Sequence, residues 1–108
     1  MNCDHHLSFP VSAVEKAIQN IHKDSTFSIK CTFTGNETPN GVEWTFNTNT
    51  PIKDKEKGYT LAYSNKVATL TKASLATADT GLYKCLFDMA TKKNFQPSST
   101  SNVYVVSK

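Results

Sequence analysis

The sequence contains no arginine, and this absence bears on the partners it can recognise. All 12 of its basic residues are lysines, against 9 acidic residues, which gives a formal net charge of +3. These lysines alternate with acidic or polar residues and do not form a concentrated stripe. Because duplex recognition relies on bidentate arginine contacts and on a basic surface, the pattern argues against nucleic-acid binding.

Catalytic motifs and long apolar runs are also missing. No stretch reaches the roughly 18 apolar residues that a membrane-spanning helix needs, so we predict no direct membrane contact from this segment. There is no G-x-S-x-G nucleophile elbow, no glycine-rich phosphate loop and no H-E-x-x-H metal motif. We therefore predict that the chain is not an enzyme and uses no cofactor.

The N-terminal segment carries potential zinc ligands in Cys3, His5 and His6. A structural zinc site needs four ligands, and no second pair stands at a usable spacing. Residues 1–8 are predicted to be a flexible tail or a remnant of expression. A chain of 108 residues has the length of one domain, and residues 9–108 are predicted to form it.

Short segments that alternate between apolar and polar residues make up most of the chain. The clearest is Phe27 to Phe33, and similar patterns surround Trp44 and run over residues 59–63, 66–72, 82–88 and 102–107. The polar connection over residues 48–58 includes a mixed-charge run, Lys53 to Lys57, which is typical of a solvated loop. Residues 9–22 are ambiguous, because their apolar residues have helical spacing while Pro10 favours an extended start.

The most informative stretch is Asp79 to Cys85, which reads as a turn followed by a buried strand. Asp79 can bond nearby backbone amides, and Gly81 tolerates positive φ. Upstream lie Cys31, in its own alternating strand, and Trp44. The combined Cys, Trp and D-x-G-x-Y-x-C pattern resembles an immunoglobulin domain from about residue 27 to residue 106.

The resemblance implies roles for these residues. Cys31 and Cys85 would form a disulfide between facing sheets, Trp44 would pack on it, and Tyr83 would form a tyrosine corner. Leu75 matches an apolar position of the family, whereas Lys72 stands where the family prefers an aliphatic residue, so we expect a local bulge or shifted register there.

The family also implies an architecture. The 54 positions between the cysteines (85 minus 31) leave little room for the extra strands of variable domains. We predict an all-β, immunoglobulin-like sandwich of two antiparallel sheets, of intermediate-set or constant-like type, with about seven or eight strands. Residues 9–22 are then expected to supply the first strand.

Immunoglobulin domains often bind through one sheet face or through end loops, and the resemblance therefore implies a protein-binding function. The outward residues expected on that face are Glu43, Thr45, Lys84, Leu86 and Tyr104. A disulfide would indicate an oxidising compartment, and Asn36-Glu37-Thr38 is a candidate glycosylation site of a secreted glycoprotein.

Three functional readings follow. The first is an extracellular recognition module of a membrane receptor or cell-adhesion protein that binds another protein. The second is an intracellular structural domain of a sarcomeric or cytoskeletal chain. The third is an immune-type receptor domain that uses the loops around Asn36 and Lys92. Homophilic and heterophilic binding both remain open.

Overall fold

The computed structural model describes residues 11–14, 17–89 and 97–107, and within these ranges it contains nine β-strands and one 3-10 turn. The predictions about Cys3, His5, His6 and Lys92 fall outside the described residues. In chain order the strands are β1 (Val11–Val14), β2 (Ile18–His22), β3 (Phe27–Thr34), β4 (Gly41–Phe46), β5 (Thr50–Ile52), β6 (Tyr59–Ser64), β7 (Val67–Lys72), β8 (Gly81–Asp88) and β9 (Ser98–Val106), with the 3-10 turn at Thr77–Asp79.

These strands form two sheets. One has four strands in the order β1-β3-β7-β6, and the other has five in the order β2-β9-β8-β4-β5. Neighbouring strands are antiparallel, except that β2 runs parallel to β9. The predicted all-β sandwich is confirmed, with nine described strands where about seven or eight were expected.

The core lies between the sheets and is built from alternate residues of each strand. In β3, buried and exposed residues alternate without a break over all eight positions. Aromatic rings fill much of the volume: the Tyr83 ring centroid lies 5.2 Å from that of Phe27 and 5.0 Å from that of Phe46. Such tilted ring pairs stabilise beyond the area they bury.

The first segment is extended, as predicted, but it forms two strands that belong to different sheets. β1 pairs with β3 of the four-stranded sheet, and β2 pairs with β9 of the five-stranded sheet. Val14 and Ile21 therefore pack against the same core from opposite sides. The change of sheet explains why the apolar spacing of this segment resembled that of a helix.

Two other boundaries differ from the prediction. The segment predicted to be a polar connection over residues 48–58 contains β5, whose buried Ile52 lies opposite Trp44. Strand β9 begins at Ser98, four positions before the predicted Asn102 (102 minus 98). Within this early part Ser101 is fully buried opposite Tyr83, where a small side chain fits beside the large ring.

The bulge expected at Lys72 is absent. The residue stays in continuous register, opposite Phe27 on β3 and Tyr59 on β6. Its ammonium group lies 2.9 Å and 3.0 Å from the two carboxylate oxygens of Asp79. The position accepts a lysine because Asp79 supplies the opposite charge and the Tyr59 ring centroid lies 4.8 Å away.

Candidate recognition surface

The disulfide and the residues around it hold the two sheets in fixed relation. Cys31 and Cys85 are bonded, with their Cα atoms 6.6 Å apart, and Trp44 lies opposite Cys85 in the β4–β8 pairing. Trp44 is only 1% exposed. The five-stranded sheet therefore has a rigid inner face on which its outer residues are positioned.

Two hydroxyl groups lie beside the sulfur atoms, a feature that the sequence pattern did not indicate. Ser12 Oγ lies 3.1 Å from Cys31 Sγ and 3.3 Å from Cys85 Sγ. Ser99 Oγ lies 3.3 Å from each sulfur and 2.8 Å from Ser12 Oγ. Since β1 and β9 belong to different sheets, this polar contact also joins them next to the disulfide.

The turn before β8 is fixed by a buried network around Tyr83. Its hydroxyl donates to the backbone carbonyl of Asp79 at 2.7 Å, and it lies 3.1 Å from the Tyr59 hydroxyl. Burial raises the pKa of the Tyr83 hydroxyl far above its usual value, and the Tyr59 hydrogen bond adds to this shift. Leu75 packs in the same core at 1% exposure.

Gly81 is needed for close approach, and its φ is not positive, although a glycine would tolerate a positive φ there. A Cβ at this position would lie 2.5 Å from Asn47 Oδ1 and 2.6 Å from Phe46 Cε1. Asn47 Oδ1 is held in place because it accepts a hydrogen bond from Leu82 N at 3.0 Å. The glycine thus lets the β4–β5 turn pack against β8.

The outer face of the five-stranded sheet carries all five residues predicted to form a binding face. Glu43 lies opposite Leu86, and Thr45 lies opposite Lys84. Leu86 and Lys84 are half-buried, while Glu43 is exposed. Tyr104 is on β9, in the same outward phase but nearer the β2 edge of the sheet.

Three of the five line one groove. Glu43, Thr45 and Lys84 contribute to an open depression of about 470 Å³ at the β4–β5 side, together with Pro51 and Lys53. The buried Thr45 Oγ1 has no hydrogen-bond partner within the described part of the chain. The groove therefore offers one acid and two lysines, but the structure does not bring Leu86 or Tyr104 into it.

An apolar strip on the same face was missed by the sequence analysis. The large hydrophobic side chains that are exposed in the described ranges are Ile18 at 64%, Tyr104 at 47% and Val106 at 37%. All three point outward at the β2–β9 edge, where Ile18 lies opposite Asn102 and His22 lies opposite Val106. We call these three residues the apolar strip. Tyr104 was among the predicted face residues, whereas Ile18 was hidden by the helical spacing of the first segment and Val106 was not named.

Asn36 lies away from this face, in the loop after β3, and it is exposed. Its glycosylation remains a prediction. No group of three or more histidine, cysteine or acidic side chains in the described residues is arranged to hold a metal ion. No helix in the same residues is long and apolar enough to cross a membrane.

Comparison with known proteins places this architecture among characterised domains. The family model of the immunoglobulin I-set domain matches residues 12–102. Similar solved structures include the Dscam1 Ig7 domain, isoform 5, at 21% identity over 90% of this chain and 98% of that one, with a TM-score of 0.74.

Titin domains match equally well. A chimeric titin Z1Z2, functionalised with an exogenous peptide from decorin, has 19% identity over 90% of this chain and 95% of that one, with a TM-score of 0.74. A complex of titin M10 with the obscurin-like 1 Ig domain has 15% identity over 93% and 98% of the two chains, with a TM-score of 0.73. At these identities the likeness supports the fold alone. No curated protein sequence matches the chain.

Proposed function

This chain belongs to the immunoglobulin I-set family, and from that membership we propose that it is an extracellular recognition module of a cell-surface receptor or adhesion protein. It acts by binding another protein, without catalysis, through the outer face of its five-stranded sheet. Domains of this family bind protein partners, as the titin M10 complex with an obscurin-like Ig domain illustrates.

The apolar strip is the observation that carries this proposal. Single exposed hydrophobic residues are normal on a protein surface and need no explanation. Here the exposed large hydrophobic side chains of the described ranges are gathered on one face and one edge, within two neighbouring strands. Exposed apolar side chains grouped on one face are typical of protein interaction sites, and Tyr104 is of a residue type that is enriched among binding hot spots.

The β4–β8 pair in the middle of the sheet supports the same face. Glu43 and Lys84 place opposite charges beside the half-buried Leu86. Mixed charges around a small apolar centre resemble the polar rim of an interface, which contributes specificity and association rate more than affinity.

A binding screen with matched variants tests the proposal. A multimeric form of the domain would be applied to a panel of displayed extracellular proteins, alongside Tyr104→Asp, Leu86→Asp and a control, Thr32→Asp. Thr32 is exposed on β3, on the outer face of the other sheet. We expect the two sheet-face variants to lose binding while the control retains it. Equal binding by all four proteins, each with an unchanged melting temperature, would contradict the proposed face.

The intracellular structural reading is the second candidate, since titin domains and a Dscam1 domain share this fold and the fold does not distinguish the two readings. The two readings differ in the predicted redox state of the cysteines. Protein from its native source would be trapped with an alkylating reagent and weighed with and without reductant. One alkylated thiol, assigned to Cys3, supports the extracellular reading, whereas three would support the intracellular one.

A further inference from the structure

Strand β2 presents an open edge of hydrogen-bonding groups. On its inner side Asn102 N donates to Ala17 O at 2.8 Å, and Lys23 N donates to Val106 O at 2.7 Å. Peptide groups alternate in direction along a strand, so the odd-numbered residues of β2 face β9. The backbone N–H and C=O groups of Ile18 and Asn20 therefore point away from the sheet.

The other edge strands of the sandwich have features that hinder the pairing of a further strand. At β6, Tyr59 N donates to Glu56 O and Leu61 N donates to Asp54 Oδ1, both at 2.9 Å. The charged loop that the sequence analysis read as solvated thus covers this edge. β5 has three residues and contains Pro51, and β1 has four residues. Short strands, proline and covering loops are recognised ways to block an edge.

β2 has none of these features within the described ranges. Its sequence, Ile-Gln-Asn-Ile-His, contains no lysine, acid or proline. It lies next to the apolar strip, of which Ile18 is a member. An uncharged edge with exposed apolar side chains favours pairing with another strand.

We propose that β2 pairs antiparallel with β2 of a second copy of this chain, about a two-fold axis through Asn20. This deepens the proposed recognition role by naming one partner. Ile18 of one copy then lies opposite His22 of the other, Gln19 lies opposite Ile21, and Asn20 lies opposite itself. The even-numbered pairs point their backbone groups at each other and exchange hydrogen bonds.

Self-complementarity is what selects a second copy as the occupant. A two-fold interface requires the same patch to match itself, and no like charges meet in this register, since Lys23 faces Ala17. On the outer face, His22 separates Val106 of its own chain from Ile18 of the other copy. The two apolar strips therefore lie on the same outer face of the joined sheet, on either side of Asn20 and His22.

The small size of the β2–β2 contact limits the affinity of the dimer. A standard interface uses about 20–30 residues a side, whereas β2 supplies five. We therefore expect weak association, with a Kd on the order of 100 μM. Such an affinity suits contacts between many copies held together on a surface, where linked sites raise the effective concentration.

Sedimentation equilibrium tests this from about 1 μM to about 1 mM protein. The wild-type mass is expected to rise from 11.9 kDa towards twice that value. Asn20→Lys opposes two charges at the axis and is expected to raise the Kd by about tenfold or more. The matched control is Ala62→Lys, which places the same charge at an exposed position on the β6 edge and is expected to dimerise like the wild type.

A second variant guards against loss of folding. Asn20→Pro removes one outward N–H while leaving the bonds to β9 intact, and amide spectra would verify the fold. A wild type that stays monomeric up to about 1 mM overturns the proposal, as does Asn20→Lys dimerising like the wild type. The proposal would also be overturned if the amide NMR signals that shift with protein concentration came from the groove and none came from Ile18 to His22. Loss of binding by Tyr104→Asp in the screen is a separate result, so the recognition role can stand without the dimer.

Discussion

The ion pair between Lys72 and Asp79 occupies a position where an aliphatic residue was expected, and its removal tests the fold directly. Asp79 accepts both contacts from the Lys72 ammonium group and a further bond from Ala76 N at 2.8 Å. The two side chains are only 16% and 12% exposed. Asp79 thereby ties the end of β7 to the turn that precedes β8.

The expected magnitudes follow from these contacts. Removing one partner of a buried pair costs about 3–5 kcal/mol, and the residual exposure favours the lower limit. Asp79→Ala is therefore expected to lower the free energy of unfolding by about 3 kcal/mol, including the lost bond to Ala76 N. Lys72→Met retains the packing of the stem and is expected to cost about 2 kcal/mol.

A double-mutant cycle in urea separates the pair from its surroundings. If the two effects were independent, the double variant would lose about 5 kcal/mol of unfolding free energy. If the two side chains interact directly, we expect a loss of only about 3 kcal/mol, because the second change removes a charge that already has no partner. The single Asp79→Ala change is expected to lower Tm by roughly 12 °C. Additive effects, or an Asp79→Ala loss below about 0.5 kcal/mol, would refute the reasoning.

Three further predictions concern the frame of the sandwich. Gly81→Ala is expected to cost about 2 kcal/mol through overpacking against Asn47 Oδ1 and Phe46, measured by urea denaturation; a neutral result would mean that the β4–β5 turn moves freely. Tyr83→Phe is expected to cost about 1–2 kcal/mol at pH 7 by removing the bond to the Asp79 carbonyl. Because burial raises the pKa of Tyr83, the unfolded chain loses that proton first, so wild-type stability falls above pH ~10 by up to about 1.4 kcal/mol per pH unit; the variant is expected to show a shallower fall, and equal alkaline slopes would argue against the buried hydroxyl. Replacing both Cys31 and Cys85 by alanine is expected to cost about 4 kcal/mol in the chain-entropy model, and a melting temperature unchanged from that of the oxidised wild type would contradict the bridge.

The sequence predicted those parts of the fold in which one short motif dictates the packing. Cys31, Trp44 and Tyr83 each fit one position of the sandwich, and strict alternation identified β3. The prediction failed where short-range pattern and tertiary context disagree. The switch of the first segment between sheets depends on β9, and the three residues of β5 carry too little alternation to be recognised.

The surface was less predictable than the core. Alternation placed Glu43, Thr45, Lys84, Leu86 and Tyr104 on one outer face, since that face follows from the period of a strand. It did not identify Ile18, because recognising that residue requires the parallel pairing of β2 with β9, and Val106, which shares the phase of Tyr104, was not named. An exposed edge is a property of the assembled sheet, and no local pattern encodes which strand has a neighbour.

The disulfide does not by itself decide in which compartment the domain works. If a dithiol reductant supplies two electrons and two protons, the bond becomes two thiols, and each of these is a weak hydrogen-bond donor. Ser12 and Ser99 already lie within 3.3 Å of the sulfur atoms and can serve both states. The Tyr83 corner and the Lys72–Asp79 pair contain no sulfur, so reduction removes none of their contacts directly. The fold therefore does not assign the domain to an oxidising or a reducing compartment, and the choice between receptor module and intracellular chain depends on the thiol count and the partner.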